Sequence, residues 1–484
     1  MTASGNQQAR PAALRTWGGG PGEALTAFET LMWRVEEDST IRSTVVILLM
    51  LDGTPKWDEF VAAHDRLLGR APRLTHRVVK PPGSLAPPRW SPDPHFDLAF
   101  HLRRVRLPEP ADEKALFTAL EHTAMSGFER ARPPWLGILY EGFPDGRSAY
   151  ALKIHHSLSD GKAIVALLDL LTDSDTDAAP QSVDLAPAAR SLSPLDVLRA
   201  DISDSVAAVP GVLNATARVA WRGLRDPVGG ANSAVRYGQS LRRVLAPAKA
   251  PPSALLARRS SNWRFAALDL DFPTLRAAGR SAGCSLNDAY LAGLLGGYRR
   301  YHEAMGSPIE VMPLTIPVAV PRPSDTVGGN AFAPARLAGP VGVADPAERM
   351  RIIRERSVAA RAEPALNHVD VLSPFAARLP GTLIGQVGPR LTTGSDLQAS
   401  NVPGPTGPQY LAGVSVERFY GFPPLPGCPA MITLVTHRQI GCVAVSFDAA
   451  AVTAPETFLS SLCDGLDEVL ALAGPDGPRT VRVG

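Results

Sequence analysis

The stretch from Trp135 to Leu171 constrains this chain more than any other. Trp135 to Phe143 and Ser148 to Ile154 read as strands on either side of Pro144-Asp145-Gly146, a tight-turn sequence, so they predict a hairpin. A short polar loop, His155 to Gly161, follows. Lys162 to Leu171 is apolar on nearly every face, which predicts a buried helix. Strand, short loop and helix in this order commonly present reactive side chains at a sheet edge.

Around this block the chain alternates between helical and strand periodicities. Leu25, Phe28, Leu31, Met32 and Val35 recur at helical spacing, with Glu36, Glu37 and Asp38 closing the element. Thr44 to Leu51 is β-branched and aliphatic and ends at Asp52-Gly53, the pattern of a buried strand. Helices are predicted over Trp57 to Leu68 and Ala115 to Met125, with a Pro-rich, poorly patterned stretch from Pro72 to Pro94 between them. Further on come a strand (Trp263 to Leu270), a helix from Pro273 and a helix from Ser285 to Tyr301. Val311 to Val320 carries Pro313 and Pro317, so it is expected at a sheet edge or irregular. Ile432 to Thr436 and Val443 to Phe447 read as an antiparallel pair, and Glu456 to Ala473 as a closing helix.

A length of 484 residues suggests about two or three domains, and 45% hydrophobic with 20% charged residues is the balance of a chain with ample core. Composition divides the chain into a flexible tail (1–20), a first domain (21–185), a helical, basic linker (186–258) and a second domain (259–484). A formal net charge of +2 offers no global field for nucleic acid. Cys284, Cys428, Cys442 and Cys463 lack metal-knuckle spacing, so neither a disulfide framework nor a metal site is expected, and a reducing compartment fits. The first twenty residues lack an apolar signal region, and Val45 to Leu51 is far too short to span a bilayer. The expected location is cytoplasmic, with peripheral contact at the inner face of the plasma membrane or at lipid droplets. That contact would be made by the segment Arg218 to Arg259, which holds nine Lys or Arg against one acid, Asp226. A solvated linker face is the alternative reading of the same residues.

His155-His156-Ser157-Leu158-Ser159-Asp160-Gly161 is the constellation that carries chemistry. An imidazole held at a strand end can take a proton near neutral pH. Adjacent residues of an extended chain point opposite ways, so the two histidines cannot share one task. Asp160 can curl back to fix the loop, and Gly161 leaves room where backbone meets backbone or ligand. A buried histidine pair with Asp160 capping the following helix is the bland alternative, and it accounts for Asp160 alone.

This motif resembles that of the coenzyme A-dependent acyltransferase superfamily. More narrowly, several blocks resemble the bacterial wax ester synthase/diacylglycerol acyltransferases in the order that family shows. They are the opening helix with Trp33, Pro134-Trp135-Leu136, Ser285-Leu286-Asn287-Asp288, Gly329-Asn330, Ser400-Asn401-Val402-Pro403-Gly404-Pro405, and the segment from Gly421 to Pro429. The resemblance implies an α/β fold of two similar chloramphenicol-acetyltransferase-like domains, each a mixed sheet flanked by helices, with an active-site tunnel between them. It implies an O-acyltransferase that moves a long fatty acyl chain from acyl-coenzyme A, a co-substrate, to diacylglycerol, with no other cofactor and no metal. A long-chain alcohol, giving wax ester, or a specialised metabolite remains open as acceptor. His156 would be the general base and His155, Asp160 and Gly161 its supports; Pro134, Trp135, Asn287, Asp288 and Asn401 would meet or shape the substrate side. Core packing explains Trp135 equally well, and Ser285-x-x-Asp288 is also a capping box.

Two other signatures fail on context. Gly279-Arg280-Ser281-Ala282-Gly283 has the spacing of a nucleophile elbow, which needs a strand before the serine, yet Phe272 to Ala278 reads as helix. His155 and Asp160 have the His-x4-Asp spacing of glycerolphosphate acyltransferases, but the block that mimics their phosphate site, Phe143 to Ser148, precedes the motif and forms the hairpin turn.

Overall fold

The computed structural model describes residues 22–36, 42–84, 86–159, 161–174, 190–207, 210, 250–319, 332–361, 394–405, 407–474 and 479–483. Asp160 and Gly329-Asn330 lie outside the described residues, as do the tail and the basic run from Arg218 to Lys249.

In chain order the first half carries α1 (Ala27–Val35), β1 (Thr44–Leu51), α2 (Trp57–Arg70), β2 (His76–Val79), β3 (Arg89–Pro92), α3 (Leu98–His101) and β4 (Leu102–Arg106). It continues with α4 (Glu113–Met125), β5 (Trp135–Glu141), β6 (Ser148–His155) and α5 (Gly161–Leu171). After a helix over 194–207 come β7 (Trp263–Asp271), α6 (Phe272–Ser281), α7 (Leu286–Ala304), β8 (Met312–Ala319), β9 (Phe332–Gly339) and α8 (Pro346–Arg361). The chain closes with β10 (Leu397–Val402), β11 (Tyr410–Leu411), β12 (Val414–Phe422), β13 (Ala430–His437), β14 (Ile440–Asp448), α9 (Pro455–Leu470) and β15 (Val481–Val483).

Two mixed sheets result. The first has the order β11-β12-β1-β6-β5-β4 and the second β15-β7-β14-β13-β10-β8-β9. Every residue of β1 is buried, because its alternating side chains enter two different cores. Val45, Ile47, Leu49 and Leu51 pack with α2 and α5 through Phe60, Leu67, Ile164 and Leu168. Val46, Leu48 and Met50 face Leu116 and Leu120 of α4 and, from the second sheet, Phe265, Ala267 and Ala444. The two sheets therefore share a core. The far face of the second sheet is covered by α6, α7, α8 and α9.

The hairpin read from the sequence is β5 and β6, antiparallel with Trp135 opposite Ile154. β13 and β14 form the second antiparallel pair. Three findings depart from the sequence reading. The Pro-rich stretch holds a two-stranded sheet, β2 with β3. The run with Pro313 and Pro317 is not an edge strand: β8 lies between β10 and β9. It tolerates both prolines because β10 pairs only with Leu314 and Thr315, while Pro313 and Pro317 stand opposite Ala338 and Pro334 of β9, the edge strand. Finally, β12 comes from the second half but pairs antiparallel with β1, Ile47 opposite Gly421.

Candidate active site

The His155–Gly161 loop leaves the end of β6 and enters α5. His155 is the last residue of the strand, opposite Thr44, and its backbone N–H donates to Pro134 O at 3.0 Å. One residue on, the His156 N–H donates to Ser43 O at 2.8 Å. The residues just before β1 and β5 thus clamp the pair from both sides.

His155 is fully buried. Its Nδ1 lies 3.1 Å from the Ser157 backbone N–H and 2.7 Å from Ser157 Oγ. A backbone N–H can only donate, so Nδ1 is the acceptor and the neutral ring carries its proton on Nε2. That atom faces Glu36 Oε2 at 3.5 Å. Trp33 and Phe128 hold the ring edge-on, with centroids at 5.0 and 5.8 Å. Nδ1 is taken by the Ser157 N–H and Nε2 carries the proton, so this fully buried ring has no lone pair to offer a substrate. His156 is the partly exposed imidazole of the two.

Glu36 follows the last turn of α1 and its side chain is only 7% exposed. Oε2 also accepts the Ser43 N–H at 2.6 Å, and Oε1 lies 3.8 Å from Arg42 Nη1. Burial is the largest influence and pushes this carboxyl up, but His155, the Ser43 N–H and Arg42 together outweigh it. The net result is below the usual carboxylate range, so Glu36 is an anion at neutral pH. Trp33, Glu36, Arg42, Gly127, Phe128, Arg130 and His155 surround a cavity of about 60 Å³ on this side of the loop. Nearby, Lys153 is fully buried and donates to Ser126 O at 2.7 Å and Ser126 Oγ at 2.8 Å, with its Nζ 4.4 Å from the Phe128 ring centroid. Burial pushes its ammonium down to about 7.

On its other side the loop meets the second half of the chain. A Cβ on Gly161 would stand 3.1 Å from Val402 Cγ2, at the end of β10. Gly404, just beyond, admits no side chain at all, since a Cβ there would collide with Thr436 O.

Residues 25–290 match the wax ester synthase/diacylglycerol acyltransferase catalytic domain, and residues 328–470 the C-terminal domain of the same family. The chain belongs to the wax ester synthase/diacylglycerol acyltransferase family. It is 40% identical over 463 residues to a Mycobacterium tuberculosis protein named "Putative diacyglycerol O-acyltransferase Rv2484c", covering 95% of this chain and 94% of the relative. A second relative from that organism, Rv3480c, carries the same name and is 30% identical over 387 residues, 72% of this chain and 74% of the relative. Among solved structures, the wax ester synthase/diacylglycerol acyltransferase from Marinobacter aquaeolei superimposes with a TM-score of 0.63 at 21% identity, covering 93% of this chain and 100% of that one. The first condensation domain of the CDA synthetase gives 0.56 at 14% identity, covering 95% and 97%. The starter condensation domain of rhizomide synthetase in complex with C8-CoA gives 0.55 at 14%, covering 95% and 96%. These likenesses establish the two-domain fold of coenzyme A-dependent acyltransferases, and the family makes this chain an acyltransferase of the wax ester synthase/diacylglycerol acyltransferase type.

Within that family setting the residues read from the sequence fall into two groups. His155, His156, Gly161, Pro134 and the Asn401-Val402 block come together at the loop. Asn401 is half-buried opposite Leu434, one residue from the Gly161 contact. Trp135 belongs to the core: its indole N–H donates to Leu74 O at 2.7 Å, and His101 stacks on it at 4.6 Å. Asp288 closes a capping box, accepting from the Ser285 N–H at 2.8 Å while Ser285 Oγ accepts from the Asp288 N–H at 3.2 Å. Asn287 is partly exposed on the same first turn of α7, whose packing partners are α6, α8 and α9. The elbow-like Ser281 ends helix α6 and donates to Ala278 O, as the helical reading requires.

Glu36, Ser43 and Lys153 were not singled out by sequence reasoning. The signal for Lys153 was present: one of six lysines in the chain stands in the apolar run Ala-Leu-Lys-Ile-His. Glu36 carried none, since an acid closing a helix looks like ordinary termination. Among the described residues no helix is long and apolar enough to cross a membrane.

Proposed function

We propose that this protein transfers a long-chain fatty acyl group from acyl-coenzyme A to diacylglycerol, giving triacylglycerol, with His156 as general base. The observation that carries the proposal is the division of labour in the histidine pair: His155 is fully buried with Nδ1 taken by the Ser157 N–H, and His156 is the partly exposed ring. The imidazole takes the proton of the acceptor hydroxyl as its oxygen attacks the thioester carbonyl. The tetrahedral oxyanion collapses, the C–S bond breaks, and the imidazolium returns the proton to the departing thiolate. No acyl-enzyme and no cofactor beyond the thioester are needed. Acyl-coenzyme A would enter a tunnel between the domains from one face and the lipid alcohol from the other. The names of the Mycobacterium tuberculosis relatives favour diacylglycerol as acceptor, and the C8-CoA complex of the rhizomide synthetase domain shows the fold with an acyl-coenzyme A.

The test is radiolabelled palmitoyl-coenzyme A incubated with purified protein and diacylglycerol, hexadecanol or neither. Labelled triacylglycerol as the main product supports the proposal. Wax ester as the main product moves the acceptor to the long-chain alcohol named by the family, and no transfer to either lipid overturns the reading.

A further inference from the structure

We propose that Glu36 is a positioning residue for acyl transfer, one carboxylate that fixes both histidines of the motif; this rests on the reading of His156 as base. Two contacts converge on one of its oxygens, and a third bond carries the second of them onward. Its Oε2 faces His155 Nε2 at 3.5 Å, which holds the ring in the tautomer that the Ser157 N–H requires on the Nδ1 side. The same oxygen accepts the Ser43 N–H at 2.6 Å, and Ser43 O in turn accepts the His156 N–H at 2.8 Å. The carboxylate therefore reaches the side chain of the first histidine and, through one peptide unit, the backbone of the second.

The surroundings suit a fixed anion. Trp33, one helical turn before Glu36, packs edge-on against the His155 ring, so α1 presents a carboxylate and an indole to the same imidazole. Arg42, 3.8 Å from Oε1, supplies a balancing charge. A buried anion held by the Ser43 N–H, with His155 Nε2 and Arg42 within 4 Å, cannot swing away without leaving the Ser43 donor unsatisfied, and that cost keeps it in place. An acid that orients an imidazole without touching substrate is a recurring device, because the ring's tautomer and direction decide whether its neighbour is aligned with the hydroxyl.

Glu36→Gln and Glu36→Ala test this on the full-length protein. Loss of the charge, then of the whole acceptor, should lower the kcat of the folded protein by about tenfold and about a hundredfold with KM for palmitoyl-coenzyme A nearly unchanged, while Glu36→Ala, which strands the Ser43 N–H, also lowers the thermal midpoint. Imidazole ¹⁵N spectra should show His155 protonated on Nε2 in the parent and a mixture of tautomers in Glu36→Ala. A kcat within about threefold of the parent, or a loss that merely follows the unfolded fraction, overturns the proposal. So does an unaltered His155 spectrum in Glu36→Ala. If the parent protein transfers no acyl group, the functional reading fails instead, and the ¹⁵N spectra still decide whether Glu36 sets the ring.

Discussion

Gly161 and Val402 meet where the motif loop touches the second half of the chain, and the fit is close enough that a single methyl group would be felt: a Cβ on Gly161 would lie 3.1 Å from Val402 Cγ2. Gly161→Ala should therefore push the start of α5 away from β10 by a few tenths of an ångström. Strain of this kind costs about 1–3 kcal/mol, and in a catalytic loop it also misaligns the reacting groups. Acyl transfer by Gly161→Ala is expected to fall several-fold, and the double variant Gly161→Ala, Val402→Ala to recover most of it. A double variant no better than the single one would place the constraint elsewhere.

The two histidines should part company when each is truncated. His155→Ala opens a cavity among Trp33, Phe128 and Ser157 and strands the Ser157 N–H and the Glu36 anion, at about 2–4 kcal/mol. His156→Ala, at a partly exposed site, should leave the thermal midpoint within a degree or two, about the shift expected for a surface change, yet abolish transfer. Differential scanning calorimetry alongside the radiochemical assay separates the two outcomes. A His156→Ala protein with most of its activity would remove that ring from the mechanism.

Lys153 should leave a signature in the pH dependence of stability. Its folded ammonium is held down to about 7 by burial, against a value near 10.4 in an unfolded chain. Between those values the unfolded state binds the extra proton, so stability rises with pH from about 7 to about 10, by up to about 1.4 kcal/mol per unit. Below 7 both states are protonated and the contribution is flat. Urea unfolding of the parent and of Lys153→Met across pH 7 to 9 reads the difference. The variant should be less stable at the upper end, having lost the bonds to Ser126, and its slope should be shallower; equal slopes would contradict the shifted ammonium.

For Asp288 a structural outcome is expected. Asp288→Ala removes both acceptor bonds at the start of α7 and should cost about 1–2 kcal/mol. The folded fraction should retain its kcat. A kcat loss at an unchanged midpoint would instead bring Asp288 to the substrate.

The parts of this structure legible in the sequence are those set by local pattern. The hairpin β5–β6, the following helix and the Ser285 cap each rest on residues within a few positions of one another, and the structure reproduces all three. Pairings across long separations left no local mark. Nothing in Val414 to Phe422 distinguishes a strand that joins β1 from one that joins its own sequence neighbours, because both would bury the same aromatics. Glu36 was hidden for a related reason: its partners, Ser43 and His155, are assembled only when α1, β1 and β6 come together. Helix periodicity reports which face is apolar, and it is silent about one acid at the helix end.

The crossing of β12 into the first sheet limits how this protein can be divided. Cut anywhere between residues 172 and 413, the amino-terminal piece would keep the histidines but leave Val46 to Leu51 of β1 with bare N–H and C=O groups along one side, an invitation to stick to other chains. The carboxy-terminal piece would carry a hydrophobic ribbon with nowhere to lie. Neither fragment is expected to be soluble alone; expressed together, they should find each other, since the seam that fragmentation breaks is itself a row of backbone hydrogen bonds.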